Sequence, residues 1–569
     1  MDQISKKIKM IENIKKIINL NNLDGYLVPK NDEYFTEYSK TSYLKSVSKF
    51  SGSAGFALIL KNKNYLFVDG RYTLQAKKQS GKKFIIFEIP YIWPKNIFKN
   101  LNIGFDPNLF TYKILKLYFE DSCNLISITK RLFKKNKTNF LKKNFFYTLE
   151  KSIVGETARS KISRTTKLLK KNKNDYLFIS AGENVCWLLN IRGKDLPNSP
   201  VANCKLIMSK NNIIHFFSPI YKIKKIKKKL KNIKISFHKE EKLFEILNSL
   251  KKGKFCIDEN TCSIFNEELI KSRFNINLKT DPIYKFKSIK NNTEINNMKN
   301  AHIEDGVALT KFLYWVKKNK KKKLTEQHIE NKLEGFRKKS KNYLYPSFDT
   351  IAGSGPNGAI IHYRSSSLTN RKLNKKELLL VDSGGQYKWG TTDVTRTVCF
   401  SNTSNKIKKI FTRVLKGHIA VVLANINKEK TGHNIDKQAR KSLNSVGLDY
   451  RHGTGHGVGF FLNVHEGPQS ISKNNQIRLE KGMIVSNEPG FYLENNFGIR
   501  IENLVYIKEA NNSLNFVNLT FAPIDNDLID FKMLSNLEKD YLFKYHLETY
   551  SKISPFLNNN ERKWLANLI

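Results

Sequence analysis

Apolar residues fall at helical spacing through the first 23 positions, MDQISKKIKMIENIKKIINLNNL, and then close up into Tyr26, Leu27 and Val28 between Asp24-Gly25 and Pro29. That change of period predicts an amphipathic helix, a short buried strand and a turn. The pattern recurs where a helical segment ending at Asn174 runs into Asp175, Tyr176, Leu177, Phe178 and Ile179. Between the two copies, GSAGFALIL (52–60) and NYLFVDGRY (64–72) read as strands joined by a tight turn. Two related α/β domains are expected, over 1–150 and 151–285, divided in a Lys-rich irregular stretch near residue 150.

The texture changes after residue 285. A long amphipathic helix over about 292–316 carries Met298, His302, Val307, Leu309 and Leu313, and a Lys run ends it. Glycine-rich strands and turns follow, which places the chemistry in a third region, 286–569.

Within it, LLLVDSGGQYKWGTTDVTRTVCF (378–400) reads as two antiparallel strands around a turn containing Gly384, Gly385 and Gly390. Asp382 lies on the first strand. Asp393 lies on the second, where alternation puts it on the same face as Thr391 and Thr395. Two carboxylates aimed at one point repel unless a cation or a proton lies between them. By itself, the hairpin reads equally well as a turn with a capping Asp.

Downstream, RHGTGHGVGFFLNVHEGP (451–468) holds His452, His456 and His465 in a frame whose glycines allow close backbone approach. IVSNEPGFY (484–492) offers Glu488, and GIRIENLV (498–505) offers Glu502, with Arg500 on the same face. Each Glu alone would be a surface residue. Asp382, Asp393, His456, Glu488 and Glu502 together make an oxygen-rich set with one nitrogen, suited to hard or borderline ions, Mn²⁺ foremost. Four carboxylates exceed the needs of one ion and fit a bridged pair about 3.5–4 Å apart.

Composition alters this picture little. The 100 Lys and Arg against 50 Asp and Glu give a formal charge of +50, but the basic residues are spread along the chain with abundant Asn and Ile. Two denser runs, Lys222 to Lys231 and Lys317 to Lys323, lack the interleaved aromatics of a single-strand groove and read as solvated ends and loops. The six cysteines (Cys123, Cys186, Cys204, Cys256, Cys262 and Cys399) form no CxxC pair, which argues against a disulfide framework or a thiolate metal site. No uncharged apolar run approaches the roughly 20 residues a membrane helix needs. A cytoplasmic protein with reduced thiols is expected, with neither a nucleic acid nor a membrane as partner.

GPNGAIIHYR (355–364), VDSGGQYKWGTTDVTRTV (381–398), HGTGHGVGFFLNVHEGP (452–468) and NEPGFYLENNFGIRIEN (487–503) resemble the signature of the pita-bread metallopeptidases, the family of methionine aminopeptidase, prolidase, creatinase and aminopeptidase P. FSGSAGFALI, DGRYTLQA, WLLNIRG, KNNTEINNMKNAHIEDGVAL and the tail around TFAPID and YHLETYSKISPFL extend the likeness to the long, three-domain aminopeptidase P form. The resemblance implies two creatinase-N-like α/β domains, then an α+β pita-bread catalytic domain with its tail. It also implies a homodimer, and peptides with proline at position 2 as substrates.

On this resemblance Asp382 chelates one of two divalent ions, Asp393 and Glu502 bridge, and His456 and Glu488 bind the other. The ions are Mn²⁺, with Zn²⁺ or Co²⁺ as alternatives, and a hydroxide between them attacks the bond before proline. His362, His452 and His465 match the substrate-site histidines, Glu488 also shuttles a proton, and Arg500 holds the ligands in register. Trp389 departs from the family, which commonly has a small or acidic residue there; the departure bears on loop shape.

Prolidase, which cleaves Xaa-Pro dipeptides with the same ligands, is the rival within the class. A nucleic-acid-binding pseudoenzyme is the rival outside it, but such proteins lose ligands that this chain keeps. Asp393→Asn should abolish hydrolysis by removing a bridging ligand; full activity of that variant with metal loaded would sink the assignment.

Overall fold

Two six-stranded sheets built on one plan make up the first half of the chain. In the first, Gly25–Pro29 lies between antiparallel Phe56–Leu60 and parallel Asn102–Phe105. Asn64–Asp69 and Ile85–Ile89 extend one side, and Asn124–Ser127 ends the other. The second repeats the order and polarity, with Tyr176–Ile179 between antiparallel Lys205–Ser209 and parallel Lys254–Ile257. The central strands are buried along their whole length, which is why they read as continuous apolar runs rather than as alternation.

The repeat reaches single atoms. Asp24 Oδ2 accepts from the backbone N–H of Asn102 at 2.8 Å, and Asp175 Oδ2 accepts from that of Lys254 at 2.9 Å. Each aspartate thus closes the start of the neighbouring parallel strand.

The computed structural model describes residues 2–37, 39, 42–129, 144–319, 323–401 and 403–569, with side chains from residue 10 onward. Most of the Lys-rich stretch before residue 150 and three residues of the run ending at Lys323 lie outside it. The chain separates into two units, Met1–Lys151 with Glu156–Tyr284, and Ser152–Gly155 with Lys285–Ile569. Lys222, expected to be solvated, is buried against Asp195, whereas Lys224, Lys225 and Lys227 to Lys229 are exposed. All six cysteines are buried and unpaired by disulfides. Among the described residues no helix is long and apolar enough to cross a membrane.

The second unit joins small antiparallel sheets with helices on their faces, an α+β arrangement. The long helix spans Asn292–Lys318, started by a reciprocal cap between Asn291 and Glu294. Its Leu309, Phe312, Leu313 and Val316, with Ile329 and Leu333 of Glu326–Arg337, pack on Ala352, Leu379, Val381, Val394 and Val398. Behind them, Arg337 pairs with Asp305, which also accepts from the hydroxyls of Tyr387 and Thr392. Gly390 is required here, because a Cβ would lie 2.6 Å from that of Ala301 on the long helix.

Three helices of this unit bury a histidine against a carbonyl: His302 on Met298 O, His418 on Asn487 O and His546 on Leu568 O. Burial lowers their pKa values, to about 3 for His418 and about 4 for His302 and His546, from 6.5. Unfolding lets them take up protons below pH 6.5, so their stabilising contribution is complete above that pH and falls as pH drops toward the folded values. The loss by pH 5 is roughly 2 kcal/mol per histidine. Urea unfolding at pH 7 and pH 5 should show this slope, and His418→Asn should remove about a third of it. An unchanged slope would place the acid sensitivity elsewhere.

Candidate metal centre

Asp382 sits within strand Leu379–Ser383, which pairs antiparallel with Ile351–Ser354 and Val394–Val398. The expected turn between this strand and Val394–Val398 is itself a hairpin, Gly385–Tyr387 against Gly390–Thr391. The second strand is interrupted at Thr392 and Asp393, yet Asp393 and Thr395 still turn to one cluster, where Thr395 meets Glu502. Thr391 turns its hydroxyl to Gln386, Thr395 turns its own to Glu502, and Thr392 donates to Asp305. Thr392 keeps a backbone bond to the hairpin, its N–H donating to Gly385 O at 2.9 Å.

Glu488 and Glu502 occupy breaks of the same kind. Glu488 follows Ile484–Asn487 and precedes Pro489, which cannot donate to a ladder. Glu502, expected on an alternating strand, lies between Phe497–Arg500 and Asn503–Ala510. Its N–H reaches Thr395 O at 3.1 Å, and its own carbonyl accepts from Arg396 Nη1 at 2.7 Å. His456 comes from Gly455–Gly457 at a register shift. A Cβ on Gly455 would lie 1.8 Å from Ser486 O, so only glycine lets His456 approach the Glu488 segment.

These breaks bring the five residues together. Nε2 of His456 is 3.4 Å from Asp393 Oδ2 and 3.6 Å from Glu488 Oε1. Ligand atoms of Asp393, His456 and Glu502 all lie within 4.8 Å of one another. Nδ1 of His456 faces Gly457 O at 3.0 Å; a carbonyl only accepts, so Nδ1 carries a proton, and Nε2 is the nitrogen turned to the carboxylates. Burial, reinforced by Asp382, pushes the Asp393 carboxyl well above its usual range. Burial and then the charge of Asp393 do the same to Glu502, and Glu488 is raised by burial despite His456 and Arg500.

Arg500 organises the cluster from behind. Its fork reaches Asp382 Oδ2 at 2.6 Å, Thr395 Oγ1 at 3.0 Å and Tyr492 OH at 2.7 Å. Thr395 passes its own proton to Glu502 Oε2 at 2.6 Å. Tyr492 OH lies 2.9 Å from Nε2 of His452, whose Nδ1 is 3.9 Å from Glu488 Oε2. His465 stands edge-on to His456, ring centres 4.2 Å apart. His362 is half-buried in the turn after Gly355–Ala359, a segment packed on the Arg500 strand. Trp389 ends a two-residue turn and meets Phe461 edge-on at 5.3 Å.

Sequence reasoning passed over Tyr492, Ser486 and His418. Ser486 Oγ accepts from the His456 N–H and donates to Glu488 Oε1. His418 bonds the carbonyl before Glu488. Tyr492 and Ser486 had only their place in or beside a motif as a sequence signal, and His418 had none. The fit to metal rests on the donors: four carboxylates and a correctly polarised imidazole converge, and Asp382 Oδ1 is buried with no partner among the described residues. One buried space does not hold four charged carboxylates against a single guanidinium without further cations.

Comparison with known proteins agrees with this geometry. Residues 296–509 match the model of metallopeptidase family M24, and 512–568 match its C-terminal region. Residues 10–133 and 138–294 each match a creatinase/prolidase N-terminal domain. Xaa-Pro aminopeptidase 1 of Dictyostelium discoideum is 37% identical over 100% of this chain and 96% of its own. The probable Xaa-Pro aminopeptidase P of Laccaria bicolor is 35% identical over 97% and 91%. The crystal structure of X-prolyl aminopeptidase from Caenorhabditis elegans, described as a cytosolic enzyme with a di-nuclear active site, superposes with a TM-score of 0.92 at 29% identity, covering 100% of this chain and 99% of that one. A prolidase from Thermococcus sibiricus reaches 0.53 at 25% identity, covering 65% of this chain and 98% of that one.

Arg500→Lys keeps the charge and loses the fork. Mn²⁺ affinity measured by calorimetry should fall by about 10- to 100-fold. Unchanged affinity would mean that Asp382 and Thr395 hold their positions without the guanidinium.

Proposed function

We infer what this chain does from its membership: it belongs to the Xaa-Pro aminopeptidases of metallopeptidase family M24. It is a dinuclear metallo-exopeptidase that hydrolyses the bond between an N-terminal residue and a penultimate proline. One observation carries the reading, the convergence of Asp382, Asp393, Glu488 and Glu502 with Nε2 of His456. Near-complete coverage of the long relatives favours this activity over the dipeptidase reading, since the prolidase likeness spans only 65% of the chain.

In this reading Asp382 would hold one ion, His456 and Glu488 would hold the other, and Asp393 and Glu502 would serve both. Two divalent ions would supply Lewis acidity and neutralise the carboxylates. The ligand set favours Mn²⁺, with Zn²⁺ and Co²⁺ as alternatives. The chain's own residues do the rest. Arg500 keeps Asp382 and, through Thr395, Glu502 in register. His465 gives a ring N–H to the scissile carbonyl oxygen as charge builds on it. His362 and His452 orient the carbonyl and the proline. Glu488 carries a proton on its carboxylate to the leaving proline nitrogen. That nitrogen is a tertiary amide without an N–H, so an apolar pocket recognises the ring.

The same membership supports three domains, 1–150, 151–285 and 286–569, working as a homodimer in the cytoplasm, with peptides rather than nucleic acid or membrane as partners. The test is hydrolysis of a tripeptide Xaa-Pro-Xaa beside the dipeptide Xaa-Pro, after chelation and with Mn²⁺ restored. Manganese-dependent release of the first residue from the tripeptide alone is expected. Preference for the dipeptide would make the chain a prolidase, and cleavage of neither would remove the peptidase reading.

A further inference from the structure

A buried charge cluster underlies the loop from His456 to His465, and the reaction as described does not use it. The side chain of Glu466 is 1% exposed and pairs through Oε1 with Lys290, which is 0% exposed. Its Oε2 lies 3.5 Å from Nζ of Lys287, 1% exposed. Glu466 also closes the loop, because its backbone pairs with Gly457 and a Cβ on Gly459 would come within 3.1 Å of Oε2. Inside the loop, Gly459 N–H donates to Asn463 O at 3.0 Å.

The two lysines come from a segment clamped elsewhere. Lys290 N–H donates to Gly482 O at 2.9 Å, and Ile289 bridges Met483. Gly482 has φ +85°, and a Cβ there would meet Lys290 O at 2.5 Å. Strand Ile484–Asn487 starts immediately beyond and leads into Glu488. Residues 287–290 therefore join the stretch that delivers Glu488 to the stretch that begins at His465. Removing three charges from water costs about as much as their attraction returns, so net stability is a weak reason for such a triad, whereas a single enforced geometry is a good one.

We propose that Glu466, held by Lys287 and Lys290, is a positioning residue that sets how its neighbour His465 enters the substrate site relative to Glu488. The assignment rests on the aminopeptidase reading for its kinetic consequence, though not for its structural one. Glu466 touches no reacting atom. It fixes the base of the loop, and the imidazole direction follows from the backbone.

The experiment compares wild type, Glu466→Gln, Glu466→Asp and the double variant Glu466→Gln with Lys290→Met, which withdraws the charge that Glu466→Gln leaves uncompensated. The readouts are kcat and KM on an Xaa-Pro-Xaa tripeptide, Mn²⁺ content, and the ¹³C–¹H resonance of His465 in histidine-labelled protein. Both Gln variants should lose kcat on the order of 100-fold, the cost of a small misplacement of a catalytic group. KM should stay within about twofold. Both ions should be retained, the His465 resonance should shift or broaden, and Glu466→Asp should recover part of the turnover. Wild-type kcat in the double variant, or an unmoved His465 resonance, would overturn the proposal. If wild type itself cleaved neither peptide, the peptidase reading would fall, and the resonance would still decide the positioning role.

Discussion

Four carboxylates share one small space in the second unit, and their mutual repulsion is the constraint around which the surrounding structure is built. Left to burial alone, Asp393, Glu488 and Glu502 are driven toward their protonated forms. The protein counters with a guanidinium on Asp382, a threonine hydroxyl on Glu502 and a serine hydroxyl on Glu488. Each leaves its carboxylate with lone pairs for the centre, and His456 turns Nε2 toward it. The arrangement is preorganised for cations, because Asp382 Oδ1, buried with no partner among the described residues, would acquire one on binding.

Holding such a cluster demands more than regular strands provide. A ladder presents side chains to two opposite faces, and consecutive strands of a sheet cannot direct four of them to one point. Breaks at Asp393, Glu488 and Glu502 solve this, each made by a local device: threonine hydroxyl bonds, Pro489, and the hand-over from Arg500 to Asn503. Arg396 stabilises the break at Glu502 by donating to its carbonyl, to Asn503 and to Ala522. The cost of irregular backbone is met by helices packed behind it, through the Arg337–Asp305 pair and the bond from His418 to Asn487.

The first unit shows the opposite economy. Its two sheets use uninterrupted buried strands in one repeated order, and an aspartate at the same place in each closes the neighbouring strand. The central strands there run without a break, so their apolar runs make the repeat recognisable. The high positive charge belongs to neither plan; it lies on exposed lysines along the chain, apart from buried ones such as Lys222, Lys287 and Lys290 that each meet a carboxylate.

Hydrophobic period and residue type were enough to define the elements, the duplicated α/β plan and the identity of the five clustered donors, since these depend on local pattern and on the chemistry of carboxylate and imidazole. The long helix, the strands around Tyr26 and Tyr176, and the gathering of Asp382, Asp393, His456, Glu488 and Glu502 all follow from it. The breaks in the strands at Asp393 and Glu502 did not follow, because they are held by contacts from distant residues. Nor did the roles of Tyr492, His418 and Glu466, whose partners lie 8, 69 and 176 residues away in sequence. Contacts across such separations leave no period in the chain, and only the folded backbone brings the groups within bonding distance.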